Sequence, residues 1–123
     1  MSKVLVCDDE QVLRALVRAT LDGTGHEVVE ARNGDEALEQ ARLHAPEVIV
    51  LDMMMPGRSG IDVLAELRGD TMLCRTPVVM LSARTQLSDR ELAVEAGADR
   101  YLPKPFSPLE LAQVVEQLLK QTA

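Results

Sequence analysis

The stretch Val48–Gly60, VIVLDMMMPGRSG, decides the fold because it joins an apolar strand to a polar turn through one acid. Four consecutive apolar residues, VIVL, are typical of a strand that is buried on both faces, as in a parallel sheet. The strand delivers a single carboxylate, Asp52, into three methionines and a Pro-Gly turn. A helix-capping role is disfavoured for Asp52, because Pro56, Gly57 and Ser59 intervene before the next helix begins. The residues that follow the other strands indicate what this acid does.

Short apolar runs alternate with helical patterns five times along the chain, and the first two predicted helices run from about Gln11 to Leu21 and from about Asp35 to Leu43. This alternation predicts an α/β fold, in which helices cover both faces of a five-stranded parallel sheet. The runs VLVC, VIVL and VVML are continuously apolar, as central strands are, whereas HEVVEA and DRYL carry charges that edge strands tolerate. With right-handed crossovers the predicted strand order is 2-1-3-4-5, a flavodoxin-like, doubly wound (βα)5 arrangement.

Local chemistry marks the ends of several predicted helices. A capping residue followed three positions later by an acid predicts a helix start. This spacing begins at Asn33, Ser59, Ser88 and Ser107. Pro108 is predicted at the first helical position, which suits its fixed φ. Gly23 and Gly97 each follow a helical run, where a left-handed residue is predicted to end the helix.

Composition excludes several classes of function. A chain of 123 residues is expected to form one domain, and a net charge of −7 without a basic stripe argues against direct binding of nucleic acid. The amino terminus, MSKVLVCDDE, is neither a secretory signal nor a membrane span, so a cytoplasmic protein without membrane contact is expected. Cys7 lies in an apolar run and is predicted to be a small core residue.

Polar residues follow the predicted strands at the carboxyl edge of the sheet. Asp8 and Asp9 follow strand 1, Asp52 and Ser82 end strands 3 and 4, and Lys104 follows strand 5. In open α/β sheets the ligand crevice lies at this edge, where the strand order reverses between strands 1 and 3. Two carboxylates about 4 Å apart repel by about 4 kcal/mol at an effective dielectric constant near 20, so three acids there need a raised pKa or a cation.

The predicted cluster has the groups that phosphoryl transfer requires. Oxygen ligands suit Mg²⁺ better than Zn²⁺, and both histidines are predicted away from this edge. Asp52 is the best candidate for a nucleophile that forms an acyl phosphate, because it is the central acid without an acidic neighbour in sequence. Asp8 and Asp9 can then hold the metal ion, while Lys104 and Ser82 bind phosphoryl oxygens.

Four motifs together resemble the receiver domain of bacterial two-component response regulators, including its chemotaxis regulators. They are VLVCDDE, VIVLDMMMPGRSG, VVMLSA and YLPKPFSPLEL, and the resemblance spans essentially the whole chain. It implies that residues 1–123 form a single receiver domain without an output domain. It also implies a signalling switch instead of a classical enzyme. Asp52 would be the phosphoacceptor, taking a phosphoryl group from the histidine of a sensor histidine kinase or phosphotransfer protein.

The resemblance also implies a metal site for Mg²⁺ or Mn²⁺. Asp9 matches the acid that contacts the metal directly, and Asp8 matches the acid that acts largely through water. Asp52 completes the acidic ligands. Met54 matches the position that lends its backbone carbonyl to the metal.

A third group of residues matches the positions that transmit the signal. Ser82 stands where the family has Thr or Ser, and Lys104 matches the invariant lysine, which precedes a proline that is usually cis. Tyr101 matches the aromatic switch residue, and Arg84 a position that tunes the lifetime of the phosphorylated state. The face formed by helix 4, strand 5 and helix 5 is expected to bind a downstream protein. Helix 4, DRELAVEA, is expected to turn Leu92 inward and to be mobile.

Three other readings compete with this one. A flavodoxin shares the architecture but needs a Ser/Thr/Gly-rich loop after strand 1, where this chain has Asp8-Asp9-Glu10. An aspartate-nucleophile phosphatase resembles a D-x-D pattern, and this chain has Met54 at the second acidic position. A receiver that has lost phosphorylation could serve as a binding module only.

Overall fold

The computed structural model describes residues 2–83 and 87–121. In these residues strands and helices alternate along the chain. In order they are β1 (Lys3–Cys7), α1 (Gln11–Asp22), β2 (Glu27–Ala31), α2 (Gly34–His44), β3 (Val48–Asp52), α3 (Gly60–Gly69), β4 (Val78–Ser82), α4 (Leu87–Glu95), β5 (Arg100–Pro103) and α5 (Pro108–Gln121). The α/β prediction is confirmed, and α1 and α2 begin and end within one residue of their predicted bounds.

The five strands of the described residues form one parallel sheet in the order β2-β1-β3-β4-β5, as predicted. Every residue of β3 and β4 is buried, and β1 is buried from its second residue onward. The edge strands β2 and β5 each include exposed residues. Burial on both faces therefore separates central from edge strands, which is why charge content distinguished the two kinds of strand.

Alternate residues of each strand enter two separate hydrophobic layers, because successive side chains of a strand point to opposite faces. Leu5 and Ile49 lie in the layer that is covered by α2, α3 and α4. Val6 and Val50 lie in the layer that is covered by α1 and α5. Burying a leucine or valine fully contributes about 1.5–3 kcal/mol, so these two layers supply most of the driving force for folding. Cys7 is a buried core residue, as predicted, and this burial raises the pKa of its thiol.

Three predicted helix caps are present. The side chain of Asn33 accepts a hydrogen bond from the Glu36 amide at 2.9 Å. Ser59 and Ser107 accept equivalent bonds from the amides three residues later, at 3.2 and 3.0 Å. Pro108 is the first helical residue of α5, as predicted. The predicted cap at Ser88 lies outside the described side chains.

The two predicted glycine ends differ. Gly97 has a φ of +102°, as predicted. The prediction for Gly23 is wrong, because its φ of −66° is right-handed. The left-handed residue is Gly25, with a φ of +85°. The Thr24 amide and hydroxyl both donate to the Leu21 carbonyl, so the chain continues the turn for two residues before it reverses.

The predicted orientation of α4 is also wrong. Leu92 is 52% exposed, and Ala93 is fully buried against the sheet. Adjacent residues of an α-helix lie about 100° apart around its axis, so with Ala93 directed at the sheet Leu92 points to the side of the helix. Val94 is exposed as well.

Among the described residues, no helix combines the length and apolarity that crossing a bilayer would need.

Candidate functional site

The carboxyl edge of the sheet brings the predicted residues together. Asp8, Asp52 and Ser82 are buried, and Asp9 is exposed. One carboxylate oxygen from each of the three acids lies within 4.8 Å of the others. Asp8 follows β1 and Asp52 ends β3, so the cluster lies at the reversal of the strand order, where parallel sheets bind ligands.

Lys104 lies between the two buried acids. Its Nζ donates a hydrogen bond to Asp8 Oδ2 at 2.9 Å and lies 3.4 Å from Asp52 Oδ1. Its backbone amide donates to the Ser82 carbonyl at 2.7 Å, which continues the pairing of β5 with β4. The Lys104–Pro105 peptide bond is cis, as the resemblance implies. One ammonium group therefore contacts two carboxylates.

Backbone amides orient both buried acids. The Glu10 amide donates to Asp8 Oδ1 at 2.9 Å, and the Met54 amide donates to Asp52 Oδ1 at 3.2 Å. Each carboxylate thus accepts from an amide two residues further along its own loop. These short local bonds hold the carboxylates at the sheet edge, because Ser and Asp side chains readily bond to nearby backbone in turns.

Burial and charge perturb the acids and the lysine. Burial, reinforced by the Asp8 charge, raises the pKa of Asp52 to about 6, although Lys104 and the Met54 amide act in the opposite direction. Partial burial alone would lower the pKa of Lys104, but its hydrogen bond to Asp8 and the charge of Asp52 outweigh this and raise it. Three acids facing one ammonium leave excess negative charge, which a cation would neutralise.

The donor set fits Mg²⁺ or Mn²⁺. Every ligating atom of the cluster is a carboxylate oxygen, which hard divalent cations prefer, whereas Zn²⁺ prefers nitrogen and sulfur. Both histidines lie elsewhere, as predicted: His26 contacts Glu116, and His44 ends α2. Asp8, Asp9, Asp52 and Lys104 are therefore brought together as predicted, and their individual roles stay predictions.

Tyr101 lies on β5, next to β4, and is further from the carboxyl edge of the sheet than Ser82. It is opposite Met80 in the β4–β5 register, whereas Ser82 is opposite Pro103. Tyr101 is half-buried and packs against the layer covered by α3 and α4. Arg84, the predicted lifetime position, lies outside the described residues.

Gly60 is a site residue to which the sequence assigned no role. A Cβ atom on Gly60 would lie 2.3 Å from the Asp52 carbonyl oxygen and 2.8 Å from the Met53 Cα. The Gly60 amide donates to the Met53 carbonyl at 2.9 Å, so the start of α3 is held directly against the end of β3. The available signal was a glycine at the first turn of a helix, where its low helix propensity needs another reason.

The chain also matches known proteins. The profile of the response regulator receiver domain matches residues 4–116. The chain belongs to this family. The flavodoxin reading is therefore excluded, and the chain is a receiver domain of a two-component system.

The curated relatives of the receiver domain are named as transcriptional regulators. They are signalling proteins and not classical enzymes. The receiver domain is 47% identical over its whole length to the transcriptional regulatory protein KdpE of Mycobacterium tuberculosis, of which it covers 54%. It is 39% identical over 98% of its length to the alkaline phosphatase synthesis transcriptional regulatory protein PhoP of Bacillus subtilis, of which it covers 49%. The receiver domain thus spans about half the length of these relatives.

Solved receiver structures share the fold. The receiver domain of the Francisella response regulator 1452 is 36% identical, with full coverage of both chains and a TM-score of 0.93. The Vibrio cholerae chemotaxis protein CheY4 is 33% identical, with a TM-score of 0.91 over 96% of this chain and 98% of that protein.

Proposed function

We propose that this receiver domain is a cytoplasmic, Mg²⁺-dependent phosphoacceptor switch. Asp52 takes a phosphoryl group from the phosphohistidine of a sensor histidine kinase or phosphotransfer protein. The observation that carries this proposal is the arrangement of Asp8 and Asp52, two buried acids that share Lys104. Burying two carboxylates beside one ammonium group is costly unless a further cation offsets the remaining negative charge.

Asp52 is suited to be the nucleophile. With a pKa of about 6, its carboxylate is mostly ionised at neutral pH. In the transfer, a carboxylate oxygen of Asp52 forms a bond to phosphorus, and the bond from phosphorus to the donor imidazole nitrogen breaks. The imidazole nitrogen keeps the electron pair, and Asp52 becomes an acyl phosphate. Catalysis then depends mainly on position and charge neutralisation.

The other residues neutralise and orient. Asp8, Asp9, Asp52 and the Met54 carbonyl would hold Mg²⁺, which when bound would offset negative charge on the phosphoryl oxygens. Lys104 Nζ already lies beside both buried acids, so it is placed to donate to a phosphoryl oxygen on Asp52. Ser82 is the last residue of β4, the strand that pairs with β3. Its hydroxyl would donate to a second phosphoryl oxygen.

Phosphorylation would alter the face formed by α4, β5 and α5. The new group carries close to two negative charges and three acceptor oxygens. We infer that it draws Ser82 toward Asp52, that Tyr101 turns toward the vacated space, and that a downstream protein binds the altered face. Two charge-assisted hydrogen bonds of about 1.5–3 kcal/mol each approach the roughly 5.5 kcal/mol that shifts a population from 1:99 to 99:1. Switching is therefore expected to be incomplete.

Hydrogen exchange tests this coupling. Amides of α4 and β5 should exchange at different rates with and without phosphoryl on Asp52, and Tyr101→Ala should reduce that difference. An equal phosphorylation-dependent difference in wild type and Tyr101→Ala would contradict the coupling scheme.

Phosphoryl uptake tests the proposed function itself. The protein is incubated with Mg²⁺ and acetyl phosphate, and its intact mass is measured. We expect one added phosphoryl group on wild type and on the control Asp62→Asn, whose side chain is exposed on α3. We expect none on Asp52→Asn or in EDTA. No adduct on wild type would favour a receiver that acts only as a binding module, and an equal adduct on Asp52→Asn would contradict the assignment of the acceptor.

A further inference from the structure

One buried charge lies outside the cluster already described. The described residues that are both buried and polar or charged are Asp8, Arg14, Asp52 and Ser82. Three of these belong to the proposed phosphorylation site. The fourth, Arg14, extends from α1 and is only 7% exposed. Arginine is almost never buried unless it is paired, so its partners indicate why it is there.

Arg14 joins the acidic loop to the edge strand. Its Nη1 donates a buried hydrogen bond to the Asp8 backbone carbonyl at 2.7 Å. Its Nε donates to Glu30 Oε1 on β2 at 3.1 Å. The planar guanidinium fork can hold both partners at fixed relative positions, which a single ammonium group cannot do.

The carbonyl that Arg14 holds belongs to the peptide unit that joins Asp8 to Asp9. The Asp8 amide on the preceding peptide donates to the Ala31 carbonyl of β2 at 3.1 Å. Both backbone polar groups of Asp8 are therefore fixed, one by β2 and one by Arg14. Since side-chain direction follows from backbone orientation, fixing this peptide plane sets where the two carboxylates point.

We propose that Arg14, held by Glu30, is a positioning residue that sets the Asp8–Asp9 loop for Mg²⁺ binding. The inference rests on the proposed function, because it assumes that this loop binds Mg²⁺. Arg14 does not touch the metal or the phosphoryl group. It acts through the backbone of Asp8, as residues behind metal ligands commonly do.

Glu30 also reduces the positive charge beside the acidic loop. An uncompensated guanidinium beside the acidic loop would repel a divalent cation. Glu30 pairs with Arg14 through Oε1 and with Arg18 through Oε2, at 3.1 and 2.8 Å. The carboxylate offsets the charge of Arg14 and leaves its hydrogen-bond geometry intact.

Arg18 provides a matched control. It lies on the same helix and binds the same glutamate, but its side chain is 43% exposed and its bond is to the other carboxylate oxygen. Arg14→Gln and Arg18→Gln each remove one positive charge and one partner of Glu30. Only Arg14→Gln removes the donor to the Asp8 carbonyl.

The first readout is the Mg²⁺ dissociation constant, measured by titration calorimetry on each full chain. Arg14→Gln is expected to raise it about 10- to 100-fold, which is typical for loss of a group behind a metal ligand, and Arg18→Gln should change it less than about twofold. Phosphoryl uptake from acetyl phosphate should show the same split. The Mg²⁺ concentration for half-maximal rate should rise in Arg14→Gln, and the rate at saturating Mg²⁺ should approach that of wild type.

The second readout needs no metal. The Glu10 amide donates to Asp8 Oδ1, so its hydrogen exchange reports the orientation of the Asp8 carboxylate. In EDTA, this amide should exchange about tenfold faster in Arg14→Gln than in Arg18→Gln. A factor of this size is expected when the loop loses one hydrogen bond that holds it in place. Arg14→Lys and Arg18→Lys repeat the comparison if the glutamine variant does not fold, because lysine keeps the charge without the fork.

The outcomes separate this inference from the proposed function. A raised Mg²⁺ dissociation constant in the Arg14 variants alone supports the positioning role. Equal values in wild type and both Arg14 variants, or equal shifts in the Arg14 and Arg18 variants, would overturn it while the proposed function stands. A wild type that binds no Mg²⁺ would overturn both.

Discussion

Two polar clusters of the receiver domain use the same kinds of groups in opposite ways. The first is the carboxyl-edge site, where Asp8, Asp9 and Asp52 face Lys104. The second, here called the Arg68 corner, gathers backbone carbonyls and one carboxylate around a single guanidinium. Its acceptors are the Cys74, Thr76 and Gly97 carbonyls and the Asp99 side chain.

The difference lies in the balance of charge. At the Arg68 corner, the nitrogens Nε, Nη1 and Nη2 all donate, and among their acceptors in the described part of the chain the Asp99 carboxylate alone carries a full negative charge. Asp99 is also satisfied by the Val78 amide at 2.8 Å. At the carboxyl-edge site, carboxylates outnumber ammonium groups. Paired charges with satisfied partners stabilise a fold, whereas an excess of buried like charge favours binding of a counter-ion.

Removing a central charge should therefore change the free energy of unfolding in opposite directions in the two clusters. Loss of the Arg68 charge should lower it, and loss of the Asp52 charge should raise it. Arg68→Ala leaves the Thr76 and Gly97 carbonyls and the Asp99 carboxylate without this donor. The free energy of unfolding should fall by about 3 kcal/mol, the cost of breaking a partly buried set of charged hydrogen bonds. Urea unfolding in EDTA measures this change, and the Mg²⁺ dissociation constant of the folded variant should match that of wild type.

Arg100→Ala is the control for this comparison. Arg100 is exposed, and its Nη1 donates to the adjacent Asp99 carbonyl at 3.2 Å. It should change the free energy of unfolding by less than about 0.5 kcal/mol, as most surface substitutions do. Equal losses of unfolding free energy in Arg68→Ala and Arg100→Ala would show that the Arg68 corner does not stabilise the fold in this way.

Adding Mg²⁺ should stabilise the protein through the carboxyl-edge site alone. At a concentration 100 times its dissociation constant, a ligand that binds only the folded state adds about 2.7 kcal/mol to the free energy of unfolding. We expect this gain in wild type and Arg68→Ala, and much less of it in Asp52→Asn. Thermal or urea unfolding with and without the ion measures it. A gain of the same size in Asp52→Asn would place the cation elsewhere.

Asp52→Asn should stabilise the metal-free protein at neutral pH. Because burial and Asp8 raise the pKa of Asp52 to about 6 from 3.8, its ionised form is less stable in the folded state than in the unfolded state. At about 1.36 kcal/mol per pKa unit, and allowing for the new amide group, the variant should gain about 2 kcal/mol near pH 7.5.

The pH dependence gives the sign of this effect. The penalty exists only when Asp52 is ionised, so below about pH 4 the variant should have no stability advantage over wild type. As the pH rises from about 4 through 6, wild type should lose stability relative to Asp52→Asn. A constant difference across this range, or a less stable variant near pH 7.5, would contradict the raised pKa.

A helix cap far from both clusters should give the smallest effect. Ser107→Ala removes the side-chain bond to the Glu110 amide at the start of α5. The free energy of unfolding should fall by about 1 kcal/mol, which is typical of losing such a cap. The Mg²⁺ dissociation constant and phosphoryl uptake should equal those of wild type. A tenfold weaker Mg²⁺ affinity would mean that stability and the site are coupled throughout the fold.

Much of the carboxyl-edge site was predictable because its signals are local. Asp8, Asp52, Ser82 and Lys104 each stand at or just after a strand end, and parallel strands bring those ends to one edge. The strand order followed from charge content, which separates edge strands from buried central strands, together with the rule of right-handed crossovers. Helix caps followed from spacing, and three of them are present.

The parts that could not be predicted depend on packing or on long side chains. Leu92 faces outward because the rotation of α4 is set by the fit of Ala93 against the sheet. Arg14 and Arg68 donate to backbone carbonyls, which every residue has, so no sequence pattern marks their partners. The role of Gly60 depends on a backbone contact across a turn, which its position alone does not reveal.

The central claim is that Asp52 accepts the phosphoryl group, and trapping the acyl phosphate tests it most directly. Wild type is treated with Mg²⁺ and acetyl phosphate and then with borohydride, which reduces an aspartyl phosphate to homoserine. Peptide mass spectrometry then locates the reduced residue. The account predicts homoserine at position 52, with none in EDTA. Homoserine at Asp8 or Asp9, or reduction that does not depend on Mg²⁺, would contradict it.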